Sequence, residues 1–574
     1  GEYIVTVETP GFKRQERRGI LVQIQQKARV NFELSVGEMR ETVEVTGEAP
    51  ALKTDDAAVG QVIDNKRVVE LPLNGRNIAT LALLTPGVYF GARQGLDGSA
   101  GVPIAGRMVA ISANGKREND QQVTLDGVVA NEALQNTVFF TPSIDAIEEF
   151  KVQTGSYSAE YGQNSGVVVQ IAFKSGTKDF HGTVYEFLRN DQLAARDYFL
   201  NFQLPTGTKG QERPRLRRNQ FGVFLSGPVL FPRLYDGKER TFWSFSYEGL
   251  QETREAVREG FWFPEPFRRG DFSALLTPLV RDGRPIRSPI VIYDPLTGEP
   301  FRDASGQITN IIPSSRINRR AEDFIKTFQP LPQFQRDDIL DSNVQAVVPT
   351  VTTSNQYIFR IDHHFGPEDK VFVRVALDRS GVDEFNLNPN FPRFVSTAPN
   401  NIATQHLHIF SPNVINEFRY GFNQADWNYV NPRTGTNFDL DSLGIGQFRV
   451  ISDGNRKLTS RETGIPGTII AGDSDTGGLQ YNLAIFHQLS DNLSINRANH
   501  SFKMGFEYRR AAVDHASSNQ PRFLSVAAWG AIRSPAGCSA IPPTRSRPKE
   551  CLSPLRARTA GAPISWTTGN SHGI

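Results

Sequence analysis

Histidine pairs are the first residues whose spacing invites chemistry. On an extended chain His406 and His408 share a face and could share a metal ion. Neither this pair nor His363-His364 has a third ligand at a metal-site spacing, so the sequence names no metal. Cys538 and Cys551 could bridge, but nothing around them suggests a redox or metal centre. The chain has no G-x-S-x-G, no H-E-x-x-H and no phosphate loop. No catalytic residue, cofactor or enzyme activity is therefore expected. Arg269-Gly270-Asp271 is too short and too common a tripeptide to signal adhesion. Arg76, Arg107 and Arg117 invite a ligand-contact reading; structural ion pairs are the expectation for all three. The alternating run Glu41-Thr42-Val43-Glu44-Val45-Thr46-Gly47 either continues the preceding sheet or adds a strand to a partner's sheet edge.

These residues must sit on strands. The 574 residues include 49 Gly, 35 Pro and 39 Phe but only 3 Met, which favours many short strands and turns over helical bundles. With 63 basic against 61 acidic residues there is no electrostatic case for nucleic acid. No apolar run reaches the roughly 18 residues of a membrane-crossing helix. A membrane β-barrel stays open, because its alternating strands keep average hydropathy low.

Along the chain, Tyr3, Val5 and Val7 share a face, and after Pro10-Gly11-Phe12 a second run extends from Ile20 to Leu34. Together they read as the end of a small β-sandwich that cannot bury a core alone. Asp64 to Leu71 suggests a short helix ending before Pro72, and Ile78 to Leu84 an apolar one. Ile144 to Glu149 could open another helix before an extended run through Phe150 and Val152. A Gly/Ser/Tyr turn and the apolar strand Val167–Phe173 follow.

Beyond His181 long alternating strands dominate. Trp243, Phe245 and Tyr247 oppose Phe242, Ser244, Ser246 and Glu248; Val371, Val373, Val375 and Leu377 oppose Phe372, Arg374 and Asp378. Gly366-Pro367-Glu368-Asp369 closes a hairpin between Tyr357–Phe365 and the strand after it. Val414, Asn416, Phe418, Tyr420 and Phe422 oppose Glu417, Arg419 and Asn423. Phe502, Met504, Phe506 and Tyr508 oppose Lys503, Glu507 and Arg509. The connection from about Phe261 to Thr350, with a short helix over Asn318–Phe328, is longer than a compact soluble domain tolerates.

Several segments together resemble a known family. Leu71-Pro72-Leu73-Asn74-Gly75-Arg76-Asn77, the Leu125-Asp126-Gly127 segment and Ile147-Glu148-Glu149-Phe150 come first. Tyr157-Ser158-Ala159-Glu160-Tyr161-Gly162 and Lys174-Ser175-Gly176-Thr177 follow in the same order. This order is similar to the plug of TonB-dependent outer-membrane transporters, most closely the Oar-like branch. The loop motifs R-x-G-D-F-S, Y-D-P-x-T-G and I-P-x-S-R-I between Arg268 and Ile317 also resemble it, and Tyr3 to Phe12 resembles a carboxypeptidase regulatory-like domain.

The resemblance spans roughly 1–513 and implies a mostly β chain. It ends a small β-sandwich (1–37), then has a TonB-box-like segment (38–48), an α+β plug domain (49–178) and an incomplete antiparallel transmembrane β-barrel (179–513). Glu41 to Gly47 becomes the TonB box. TonB, outer-membrane lipid and an unidentified extracellular ligand are the implied partners, with the outer membrane of a Gram-negative bacterium as location. Active transport is the implied function; a surface adhesion or assembly protein anchored by the barrel is the alternative. A soluble extracellular sandwich array is a third reading, one that extracts without detergent.

Two features fit no working transporter. The chain opens Gly1-Glu2-Tyr3 without a signal segment, as if cut within a longer protein. After about Val513 the alternation stops, and 516–574 holds seven basic residues, one acidic residue and seven Pro. The expectation for 514–574 is an aberrant Arg/Pro-rich tail: a low-complexity segment on one reading, a frameshift or annotation error at a fragment's edge on the preferred one. Ten to twelve strands are recognisable where such transporters need about 22. An open edge in lipid would cost several kcal/mol per unsatisfied backbone group.

Overall fold

The computed structural model describes residues 2–21, 30, 32–36, 42–46, 58–71, 73–90, 110–117, 120–133, 136–138, 140–162, 165–195, 214–281, 284–294, 297–317, 322, 325–326, 330–335, 338–340, 342–385, 387–389, 392–430, 480–497, 500–517 and 531–532. Glu41, Gly47, Arg107, both cysteines, most of the expected 318–328 helix and most of the tail lie outside these residues.

At the start, β1 (Glu2–Val7) pairs antiparallel with β2 (Arg14–Leu21) across a turn in which Gly11 takes φ +86°. The strand begins at Arg14, not Ile20, and Val30, Phe32 and Leu34 lie outside any strand. The turn at Pro10-Gly11 sets the register, so the charged residues after it pair first. β3 (Thr42–Thr46) adds to β2 in parallel and forms the edge of the order β1–β2–β3.

The next unit contains β4 (Val59–Asp64), α1 (Asn65–Glu70), β5 (Val88–Phe90), β6 (Ile111–Ala113), β7 (Gln122–Leu125), β8 (Val128–Val129), β9 (Ile147–Gly155) and β10 (Val168–Phe173). Its main sheet runs β4–β9–β10–β7–β8, with β10 parallel to β7 and the other pairs antiparallel. Asp64 caps α1 by accepting Arg67 N–H at 2.9 Å, and Leu71 ends the helix before Pro72. Two expectations change here. Ile78–Leu84 winds as a 3-10 helix, and Ile144–Ala146 makes a single 3-10 turn before β9 starts at Ile147. Ladder pairing to β4 on one side and β10 on the other outweighs the charged Glu148-Glu149 pair's suitability for a helix start. Ile63, Val68, Leu81, Ile111, Leu125, Phe150 and Ile171 form a dry core.

Long antiparallel strands make the third sheet. β11 (His181–Asn190), β12 (Leu216–Pro228), β15 (Thr241–Gly260), β19 (Val344–His364) and β20 (Asp369–Glu384) follow one another. β21 (Arg393–Thr397) and β22 (Asn400–Ser411) each pair with both β20 and β23 (Val414–Val430), after which come β24 (Gln480–Arg497) and β25 (His500–Ser517). The small hairpin of β13 (Leu230–Phe231) and β14 (Tyr235–Asp236) caps the β12–β15 turn. Ten strands thus form an open path, an incomplete antiparallel barrel, with β11 and β25 at its ends. β25 continues four residues past Val513, Ser517 pairing with Gln480.

The faces separate as the alternation implies. Phe359, Val373, Phe502, Met504, Phe506 and Tyr508 are exposed on the outward face. Ser244, Ser246, Glu248, Arg374 and Asp378 are buried on the inward face. No described helix is long and apolar enough to cross a membrane.

A second compact unit contains Phe272–Ile311 and the described residues after Gly530. Within it β16 (Leu279–Arg281) pairs with β17 (Arg284–Arg287), and β18 (Ile292–Tyr293) with β26 (Ala531–Ile532). Asn310 is fully buried; its side chain accepts from Ile292 N–H at 2.9 Å and donates to Ile290 O at 2.7 Å.

Candidate functional site

The inner unit meets the long-strand wall through two buried charge clusters. The first is built on the 3-10 turn Asn74–Arg76, where Gly75 and Arg76 both take positive φ, 66° and 52°. That turn aims the Arg76 guanidinium at Asp145 of its own unit and at Glu248 of β15, 3.5 Å away. The rings of Tyr185 and Phe187 on β11 stand 4.5 and 4.6 Å from it. Glu248 also accepts from Tyr185 at 2.8 Å, Gln220 at 2.9 Å and Ser143 at 3.2 Å. One carboxylate of the wall is thereby held by three hydrogen-bond donors and a cation. Arg76 meets its expectation as a structural ion pair. Arg117 does not meet it: it is exposed just after β6, makes no ion pair among the described residues, and its carbonyl accepts Asp120 N–H.

The second cluster surrounds the tip of the β7–β8 hairpin. Asp126 and Gly127 take φ of 49° and 81° and turn the chain toward the wall. Asp126 accepts from Arg374 Nε at 2.9 Å, from Arg360 Nη1 at 3.4 Å and from Phe173 N–H at 3.0 Å. Arg374 is completely buried. It also donates to Leu125 O at 3.2 Å and Asn401 Oδ1 at 2.5 Å, and it lies 4.8 Å from the Phe173 ring. Arg360 is held in turn by Asp362 at 2.7 Å. A buried guanidinium is tolerable only with every donor engaged, and here the inner unit supplies the missing acceptors.

Lesser contacts complete the seat. Gln488 accepts Val129 N–H at 2.9 Å, Asn423 donates to Ala130 O at 3.2 Å, and Lys503 pairs with Glu160 at 2.6 Å. Lys174, at the exit from β10, lies 5.0 Å from the Phe224 ring. Burial pulls its ammonium below the ordinary value, against the opposing pull of Glu148 and Asp145.

Beside the second cluster is a cavity of about 620 Å³ lined by Asp126, Glu160, Tyr161, Arg360, Arg419 and Lys503 among others. Its walls are mixed in charge.

The sequence reading missed Asp126, Glu248 and Arg360 as individuals. Asp126 lies in the Leu125-Asp126-Gly127 segment, but no local pattern names partners more than two hundred residues away. The histidine pair gains a group the spacing could not show: Asp369 stands directly opposite His408 in the β20–β22 register. Its Oδ1 lies 2.9 Å from His406 Nε2 and 2.6 Å from His408 Nδ1. His363 instead bonds Thr241 at 2.6 Å.

Two families match the sequence: the outer membrane beta barrel domain over residues 172–545 and the TonB-dependent receptor plug domain over residues 53–169. The TonB-dependent transporter Oar of Myxococcus xanthus is 24% identical over 237 residues, covering 41% of this chain and 21% of that protein. Among solved structures, the outer membrane transporter YddB of Escherichia coli aligns with a TM-score of 0.45 at 10% identity, over 80% of this chain and 48% of that one. The copper transporter OprC aligns with a TM-score of 0.40 at 8% identity, over 81% and 49%. The chain thus spans about a fifth of the curated relative and about half of these structures. The barrel match alone covers more than half of the chain, and the plug match precedes it directly. This protein belongs to the outer-membrane β-barrel family of the Gram-negative outer membrane, with a segment ahead of its barrel that matches the TonB-dependent receptor plug domain.

Proposed function

We propose that this chain is the plug and part of the barrel of a transporter that moves an unidentified ligand across the outer membrane, driven by TonB. The observation that carries the proposal is the division of labour at the plug surface. The plug's apolar core is nearly self-contained: among the described residues only Ile358 and Ala376 of the wall join it. Its polar attachments to the wall centre on Arg76 and Asp126. Polar contacts can be exchanged for water at modest net cost, whereas an apolar core cannot. A plug built this way can leave its seat without unfolding.

Glu41 to Gly47 is the segment assigned to TonB. β3 is an edge strand, so its outer backbone groups are available for strand addition, a mode that needs extension and access more than a fixed sequence. The function proposed is transport without covalent chemistry. The proposed divisions are the sandwich end at 1–37, the TonB segment at 38–48, the plug at 49–178, the barrel from 179 to the end of β25 at Ser517, four residues beyond the expected bound of 513, and the aberrant tail after it.

The test is binding of the periplasmic domain of TonB to the full chain in detergent micelles, followed by calorimetry. Saturable binding is expected for the wild-type chain, and its loss is expected on deleting Glu41–Gly47. Equal binding by the deletion variant would remove TonB from this segment. No binding by either would favour an anchored adhesion protein instead.

A further inference from the structure

On the outward face of the wall, beside the short Phe365–Asp369 turn, three potential metal ligands converge. Asp369 opens β20 and His408 lies directly across from it on β22; His406, two residues earlier, shares the same face. The carboxylate oxygen and the two imidazole nitrogens all lie within 4.8 Å of one another. All three side chains are partly exposed, so an ion can reach them from solvent. This face is opposite the one that seats the plug: Arg374 and Gln405 on the same two strands point inward, to Asp126 and Arg419. The group therefore lies outside the lumen and apart from any ligand path through it.

Two imidazoles and a carboxylate are borderline donors suited to zinc, nickel or copper rather than to calcium or magnesium. In a tetrahedral site with metal–ligand bonds of about 2.0–2.1 Å, ligand atoms stand roughly 3.3 Å apart. The observed 2.6 and 2.9 Å separations from Asp369 Oδ1 need to open by about 0.7 and 0.4 Å. Both strands are long and fixed by ladders on either side, so the ligand backbones are already positioned. The Phe410 ring packs 4.3 Å from His408 and restrains that imidazole.

We propose that Asp369, His406 and His408 bind one divalent transition-metal ion of the zinc, nickel or copper class, with water in the remaining position. The bound ion would staple β20 to β22 at the short-turn end of the wall. This inference is independent of the transport reading, since it concerns the outward face alone.

The test is Co²⁺ titration of the untagged, chelator-treated full chain in detergent, followed by the visible d–d bands, with Zn²⁺ competition. One saturable equivalent with tetrahedral-type bands is expected. His406→Gln with His408→Gln should weaken binding by about 100-fold or more, at or above the ~10–100-fold typical of outer-shell losses. Asp369→Asn, which keeps shape and fold, should weaken it about tenfold. His363→Gln with His364→Gln should bind like wild type, and far-UV circular dichroism would verify each variant's strands. The proposal fails if the wild-type chain shows no saturable binding. It also fails if Asp369→Asn binds undiminished, or if the 363/364 variant is the one that loses the ion.

Discussion

Asp126 shows how one residue can hold a domain in place. It is the carboxylate shared by the completely buried Arg374 and by Arg360. Replacing it with Ala should leave Arg374 buried without its counter-charge and cost about 3–5 kcal/mol, read as a lowered urea midpoint in detergent. The double change Asp126→Leu with Arg374→Met should cost less than the sum of the single changes, because no charge is stranded. At the neighbouring Gly127 the backbone has φ +81°, and a Cβ would run into the Arg419 guanidinium. Gly127→Ala should therefore destabilise by roughly 1–2 kcal/mol from the left-handed backbone alone, measurable in the same titration. Leu125-Asp126-Gly127 was visible in the sequence as a family mark. Its physical reason, a tip carrying a charge into the wall, was not.

At the scale of elements, α1 and the long strands follow from different signals. Asp64 was placed at the start of a short helix by its residue type, and it caps that helix through Arg67 N–H. Burial pushes its carboxyl up, but hydrogen bonds and charge from Arg67 outweigh this and leave it below the ordinary value. A depressed carboxylate stabilises fully above its unfolded value of about 3.9. The contribution then drains away as pH falls through the lower folded value. Asp64→Ala should cost about 1 kcal/mol near neutral pH, with the difference from wild type closing toward the acid end of a pH series of urea titrations.

For the strands, alternation distinguished two faces but could not say which was inside. Arg374 answers it: it is buried against the plug, so its half-buried neighbour Val375 takes the opposite face. Val375→Arg should cost up to about 2–4 kcal/mol in a bilayer if it lies at mid-depth, measured by refolding into lipid vesicles. A soluble sheet would tolerate that change.

For the whole molecule, the seat of the plug is a prediction about contact between distant segments. A Cβ on Gly421 would stand 3.1 Å from Val128 Cβ, close to the roughly 3.5–4.5 Å of a disulfide. Val128→Cys with Gly421→Cys, in a chain with Cys538 and Cys551 changed to Ser, should cross-link under mild oxidation. Mass spectrometry would detect loss of two hydrogens and a peptide pair joining β8 to β23. Failure to cross-link would show that the hairpin tip does not rest on β23.

The sequence by itself determined the strand-rich class, the two-faced character of β15, β20, β23 and β25, and the order of plug before barrel. Each is written locally, in period-two alternation or in a run of ordered short motifs. It also marked Arg76 as a structural cation. Tertiary structure decided the rest. Which face is inward depends on where the plug sits, and which charges pair depends on loops closing over hundreds of residues. The helix expected at Ile144 yielded to ladder pairing on both sides of β9. The third group beside His406 and His408 emerged only when the β20–β22 register set Asp369 opposite. Periodicity fixes which way a side chain points; only the fold fixes what it meets.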